Sequence, residues 1–182
     1  AYNILLLTFH RLFVFLGIFL GSFISLLGYS LLDTMENTKQ NMIDEIGTFE
    51  YQYVLNELID SNQYGGEPII MSSLENQNGE LFNIWGTSNE NPFLSLKDME
   101  GNKINLDEGY FVTSVFAMLQ NVKAGDYFVL LNPYTLEEFS VKIKGIINND
   151  MQNAIFCNKN NVAKILGIEE NYSNVIMSDV PL

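Results

Sequence analysis

The chain opens on an apolar run and then changes character. Residues 11–33 read RLFVFLGIFLGSFISLLGYSLLD, with Arg11 and Asp33 at the ends and no charged side chain over residues 12–32. Those 21 residues make about 31 Å of helix, close to the ~30 Å hydrocarbon core of a bilayer. A helix apolar on every side for that length is predicted to span a membrane, because a helix on the surface of a soluble protein keeps one polar face. A cleaved signal peptide has a shorter core and a small-x-small site. Here the run passes straight into Asp33-Thr34-Met35-Glu36. The preceding AYNILLLTF is apolar as well and extends the helix or lies along the interface. Gly17, Gly21, Ser25 and Gly28 recur at steps of four, four and three and so share one face. Such a face lets a second helix approach closely, although Gly is also common in membrane helices generally.

Beyond Asp33 the helical pattern continues. Met35, Met42, Ile43 and Ile46 fall near one face, and neither Pro nor Gly intervenes between Tyr29 and Gly47. This predicts a stalk over 33–47, capped by Gly47. The period then drops to two. Phe49, Tyr51, Tyr53 and Leu55 alternate with polar residues, as in a half-buried strand. SNQYGGEP is a loop, and apolar runs at 69–74 and 81–85 flank Asn78-Gly79, a hairpin signal. Gly86 is read as the end of the second run, before a polar loop over 87–92. Residues 93–97 and 103–106 flank a turn at 98–102 and suggest another hairpin. The second half predicts a strand at 110–113 and a helix capped by Ser114 through Gln120. A turn follows at 124–126, then strands at 127–131, 139–148 and 154–157, a helix at 159–166 capped by Asn158 and stopped by Gly167, and a last strand at 175–178. The fold class is α+β: one N-terminal transmembrane helix, a stalk, then helices layered on a mixed sheet.

Charge sharpens the division. All 22 acidic residues lie at or after Asp33, and only Arg11 of the 9 basic residues precedes it, so the part from Asp33 on carries 8 − 22 = −14. That surface argues against nucleic acid, whose phosphates need Lys and Arg clusters, and against resting on anionic lipid. Arg11, beside His10, against the lone nearby Lys39 places the N-terminus inside and the acidic domain on the extracytoplasmic side of the cell membrane. One cysteine, Cys157, cannot form an intramolecular disulfide. An opening Ala1 and a closing Val180-Pro181-Leu182 without a terminal element suggest a fragment.

The chemistry for an enzyme is missing from the pattern. The single histidine, His10, sits at the membrane edge, which excludes a Ser-His-Asp set in the acidic domain. There is no Cys/His zinc spacing, no phosphate-binding glycine loop and no dinucleotide fingerprint. Asp98, Glu100, Asn102 and Asp107 crowd together but miss the spacing of a calcium loop. Cys157, inside an apolar strand, reads as a small buried residue. Trp85 and the tyrosines could line a pocket or simply pack. No catalytic, cofactor or metal residue is assigned.

The residues that remain resemble a family. RLFVFLGIFLGSFISLLGYSLLDTMENTKQ resembles the opening membrane helix of the FtsX-like permeases of ABC transporters, with Asp33 in the element just outside it. EGYFVTSVFAMLQNVKAGDYFVLLNP resembles the family's strand, helix, Gly-Asp, strand pattern through Glu108, Gly109, Ser114, Ala117, Gly125 and Asp126. EFSVKIKGIINN resembles the next strand, with Gly145, and AIFCNKNNVAKILG and NYSNVIMSD the last helix and strand. The resemblance implies a membrane segment over 1–32 (helix about 12–32), a stalk over 33–47, and a MacB-type extracytoplasmic domain over 48–182. That domain would have a porter-like α+β part and a variable β-rich part at about 61–107. It implies three further membrane helices after residue 182, a second permease half or homodimer, and a separate cytoplasmic ATPase subunit that binds the ATP. The permease would hold no cofactor itself and would relay motion for export or mechanotransmission. The alternative from the same pattern is an extracytoplasmic ligand-sensing domain of a membrane receptor. A singly anchored adhesin is a third class.

Overall fold

A computed structural model describes residues 2–46, 49–61, 65–132, 134–150 and 152–182, with backbone only for 2–10 and 38–46. The chain divides into two compact units, Ala1–Asn41 and Met42–Leu182.

Helix α1 runs unbroken over Tyr2–Ile46. Its stretch Arg11–Asn37, 27 residues or about 40 Å, is long and apolar enough to cross a membrane. Every described side chain of this stretch is exposed. Its hydroxyls are satisfied within the helix: Ser22, Ser25 and Thr34 donate to the carbonyls of Ile18, Gly21 and Ser30 at 2.9, 2.9 and 2.8 Å. Such back-bonding lets a hydroxyl sit in hydrocarbon without an orphaned donor. Gly47, the predicted cap, lies outside the described residues.

The second unit is α+β, built on a mixed sheet. Its elements are β1 (Tyr51–Asp60), β2 (Glu67–Glu75), β3 (Leu81–Thr87), β4 (Tyr110–Thr113), α2 (Ser114–Gln120), β5 (Tyr127–Leu131), β6 (Glu138–Ile147), β7 (Ala154–Asn158), α3 (Lys159–Leu166) and β8 (Tyr172–Ser178). The spatial order is β1-β8-β2-β3-β7-β4-β6-β5, and β5 also meets β2 at Glu75 and Leu131. The pairs β3–β7 and β4–β6 are parallel; the other pairings are antiparallel. Strands β2 and β3, from the segment 61–107, lie in the middle of this order and share its hydrogen bonds with β7 and β8.

Both faces of the central strands are covered, which explains their apolar runs without clean alternation. Ile84, Val112, Ile155 and Cys157 pack with Phe116 of α2 and with Val162, Ala163 and Ile165 of α3. Trp85, Phe111 and Phe156 belong to a second core with Leu96, Ile104 and Leu106. The hairpin predicted at 93–106 is present in short form and also serves as a cover. Lys97 bridges Lys103 in antiparallel register, the Ile104 amide donates to the Leu96 carbonyl at 3.1 Å and the Asp98 amide to the Asn102 carbonyl at 2.9 Å, while Leu96, Ile104 and Leu106 pack onto the sheet.

Among the boundaries that differ from the sequence reading are the end of β3 and the start of α2. Gly86 does not end β3, which continues through Thr87 in parallel register with Cys157 and Asn158. The cap of α2 is Thr113, whose hydroxyl accepts from the Phe116 amide at 3.2 Å. Ser114 is the first helical residue, because its own hydroxyl is drawn to the β6–β7 loop, where it donates to the Asn149 carbonyl at 2.7 Å and to the Asp150 carboxylate. Asn158 caps α3 and Gly167 closes it in a left-handed conformation, as predicted.

Candidate functional site

Strand β2 has two partners on one edge. Its start, Glu67 to Ile69, pairs with β8, and its end, Glu75, meets β5. Among the described residues no strand pairs with the edge between them. Strand β1 contributes to the opening by bulging: Val54 pairs with Val175 and Ile59 with Ser173, so four β1 residues oppose the single residue Asn174. The result is a groove of about 570 Å³, lined among others by Leu55, Leu58, Met71, Leu166 and Ile168.

Asn174 organises the groove. Its Oδ1 accepts from the Met71 amide at 2.9 Å, and its Nδ2 donates to the Met71 carbonyl at 2.8 Å. The side chain thus takes the place of a neighbouring strand. Backbone direction alternates along a strand, so Ser73 presents its N–H and C=O to the same open edge. Glu57 and Tyr134 are the titratable groups in the lining. Among the described lining residues no nucleophile is paired with a base. The groove is equipped to bind through apolar contact and backbone hydrogen bonds. An Asn in mid-strand runs against β propensity, but Asn56 and Asn83 also sit in mid-strand, so residue type alone does not mark position 174.

The residues singled out from the sequence occupy separate places. Gly17, Gly21, Ser25 and Gly28 lie on α1, with open space where a Cβ on any of the three glycines would project. Asp33 is exposed on the same helix. Ala117 is buried in α2 against the core. Gly125, at φ 97°, and Asp126 form the turn into β5. There the Gly125 amide donates to the Ile143 carbonyl at 2.7 Å, and Asp126 Oδ2 accepts from the Lys123 amide at 2.8 Å. Gly145 sits beside the Phe111 ring. Ser114, Gly125, Asp126 and Gly145 thus hold turns and packing together and converge on no common cavity.

The acidic crowd separates in the same way. Asp98 closes its own turn, accepting from the amides of Glu100 and Asn102 at 2.9 and 2.8 Å. Hydrogen bonds from Asn102 hold its carboxyl below the usual range. Asp107 instead accepts from Asn89 and Asn158. Among the described residues no group of three His, Cys, Asp or Glu is placed to hold a metal ion. Cys157 is fully buried, and burial pushes its thiol pKa up, away from the reactive thiolate. The Tyr110 phenol is raised to about 12, first by burial and then by Cys157.

No protein-family model matches the chain, and no curated protein matches it either.

Proposed function

We propose that the chain is part of an FtsX-like permease subunit of an ABC transporter, and that its acidic α+β unit is a MacB-type extracytoplasmic domain. The observation that carries this reading is α1: one uninterrupted helix from Tyr2 to Ile46 that contains the apolar span and its polar continuation. A helix without a break transmits displacement along its axis, and neither Pro nor Gly interrupts α1 where the span passes into its polar continuation, residues 29–46. The order β4, α2, β5, β6, β7, α3, β8 supports a porter-like part. The face of Gly17, Gly21, Ser25 and Gly28 supports packing on further helices of a permease half or a second copy. In this reading a separate cytoplasmic ATPase binds the ATP, favours one of two permease states, and the outer domain follows. The function is export or mechanotransmission, without catalysis by this chain.

The test is affinity capture of the native protein from gently solubilised membranes, followed by mass spectrometry. A stoichiometric P-loop ATPase is expected. Its reproducible absence, with a control transporter intact, would remove the permease reading. The second reading is an extracytoplasmic ligand-sensing domain of a membrane receptor, favoured by the groove beside Asn174. It would gain if the capture yields no ATPase.

A further inference from the structure

The groove beside Asn174 has a backbone wall as well as an apolar one. In β2, Met71 turns its N–H and C=O to the Asn174 carboxamide. Glu75 turns the same way and meets Leu131 of β5. Ser73 lies midway between them, so its own N–H and C=O face the same edge. Its hydroxyl is engaged elsewhere, donating to Asn83 Oδ1 at 3.1 Å. Among the described residues no strand pairs with the edge at Ser73. Strand β5 ends at Leu131, and the Asn132 side chain donates instead to the Ile165 carbonyl of α3 at 2.9 Å. The gap is thus one paired residue long, bounded by Asn174 and by Leu131. Met71 shows what fits such a position: the Asn174 carboxamide sets one acceptor and one donor side by side, as a residue of an extended peptide does. The groove at Ser73 measures about 570 Å³, within the roughly 300–1,000 Å³ of small-ligand pockets. Leu55, Leu58, Leu166 and Ile168 give it apolar walls, and Leu58 is 40% exposed and open to contact. Charge there is one-sided. Glu57 is an exposed carboxylate in the lining, and no Lys, Arg or His is among the described lining residues.

We propose that the groove binds a short apolar peptide, extended and with a protonated amino end. One peptide residue pairs with Ser73. Its N–H donates to the Ser73 carbonyl and its C=O accepts from the Ser73 N–H, as in an added strand. Its apolar side chains lie on the walls made by Leu55 and Leu58 and by Leu166 and Ile168. The ammonium is drawn to Glu57 and to the net negative unit around it, and a carboxylate in its place is repelled. With a single paired residue, the apolar walls supply most of the binding, and affinity is on the order of 0.1–1 mM. The proposal deepens the receptor reading, which the same groove favours, and rests on it for what the binding is for.

Ser72-Ser73 is the only Ser-Ser step in the chain. Serine labelled with 13C at its carbonyl and 15N at its amide therefore gives one resonance, the Ser73 amide, in a carbonyl-filtered NMR spectrum. The full chain in zwitterionic micelles is titrated with three probes. The first is alanyl-leucyl-alaninamide. The second is the same peptide methylated at every amide nitrogen, which accepts but cannot donate. The third is the first peptide succinylated at its amino end, which reverses its charge. The expected result is a saturable shift with the first and at least about fivefold weaker binding of the other two. The deficit of the succinylated peptide should shrink with added salt. Leu58→Lys, at an exposed position, should weaken the first peptide by at least about fivefold. No saturation with the first peptide, or an equal response to all three, would overturn the site, and this comparison in the unmodified chain decides even if the variant fails to fold. The Ser73 resonance reports the peptide whichever partner the membrane capture yields, so failure of peptide binding and failure of the receptor reading are told apart.

Discussion

Gly86 lies in β3 where α3 crosses closest. A Cβ there would stand 2.7 Å from Val162 Cγ2 and 3.0 Å from the Lys159 Cα. The second of these is backbone and cannot rotate away. Gly86→Ala is therefore expected to push α3 off the sheet and cost about 1–3 kcal/mol. Thermal unfolding followed by circular dichroism should show a Tm several degrees lower; an unchanged Tm would mean that α3 is not seated as described. The same scale holds the asparagines that do structural work. Asn132, 1% exposed, donates to the Ile165 carbonyl at the end of α3 and accepts from the amides of Tyr134 and Thr135. Asn174 does the equivalent for Met71. These roles were not legible from residue type, since Asn is ordinarily a surface or turn residue. The turns at Asn78-Gly79 and Gly125-Asp126 were legible, because their chemistry is local.

Elements are joined by side chains that reach between them. The turn from β2 to β3 is fastened to the end of α2 by a triad: Asn76 Nδ2 donates to Glu80 Oε2 and to Gln120 Oε1, each at 2.7 Å, and Gln120 Nε2 donates to Glu80 Oε2 at 2.9 Å. Hydrogen bonds from Gln120, then from Asn76, hold the Glu80 carboxyl below its ordinary value of 4.5. A carboxylate with a depressed folded-state pKa stabilises the fold above the unfolded pKa and loses that contribution as pH falls through the folded one. Comparison of Tm for the native chain and Glu80→Gln at neutral pH and at progressively lower pH should show the native advantage shrinking below 4.5. An advantage independent of pH would mean that Glu80 holds the turn without its charge. At this scale the helices and most strands could be read from period and caps. The turn at 98–102 and its paired arms could be read as well. That Leu96, Ile104 and Leu106 lie in one core with Phe111 and Phe156 could not, because a local pattern does not say which face a hairpin covers.

At the scale of the whole molecule, the asymmetry of charge makes an orientation prediction. With Arg11 before the span and Lys39 the lone basic residue soon after it, the positive-inside rule predicts the α+β unit outside the cell. Protease added to intact spheroplasts should degrade that unit while a tag placed before residue 11 survives; protection of the unit until lysis would reverse the assignment. The apolar span, its polar continuation and the α+β class follow from the sequence itself, because hydropathy and periodicity act within a few turns of chain. The tertiary structure alone decided that β2 lies between β8, β3 and β5, and that an edge unpaired among the described residues remains beside Asn174. Long-range pairing is set by which faces can be buried together. A linear pattern states how apolar each strand is, not which neighbour covers it.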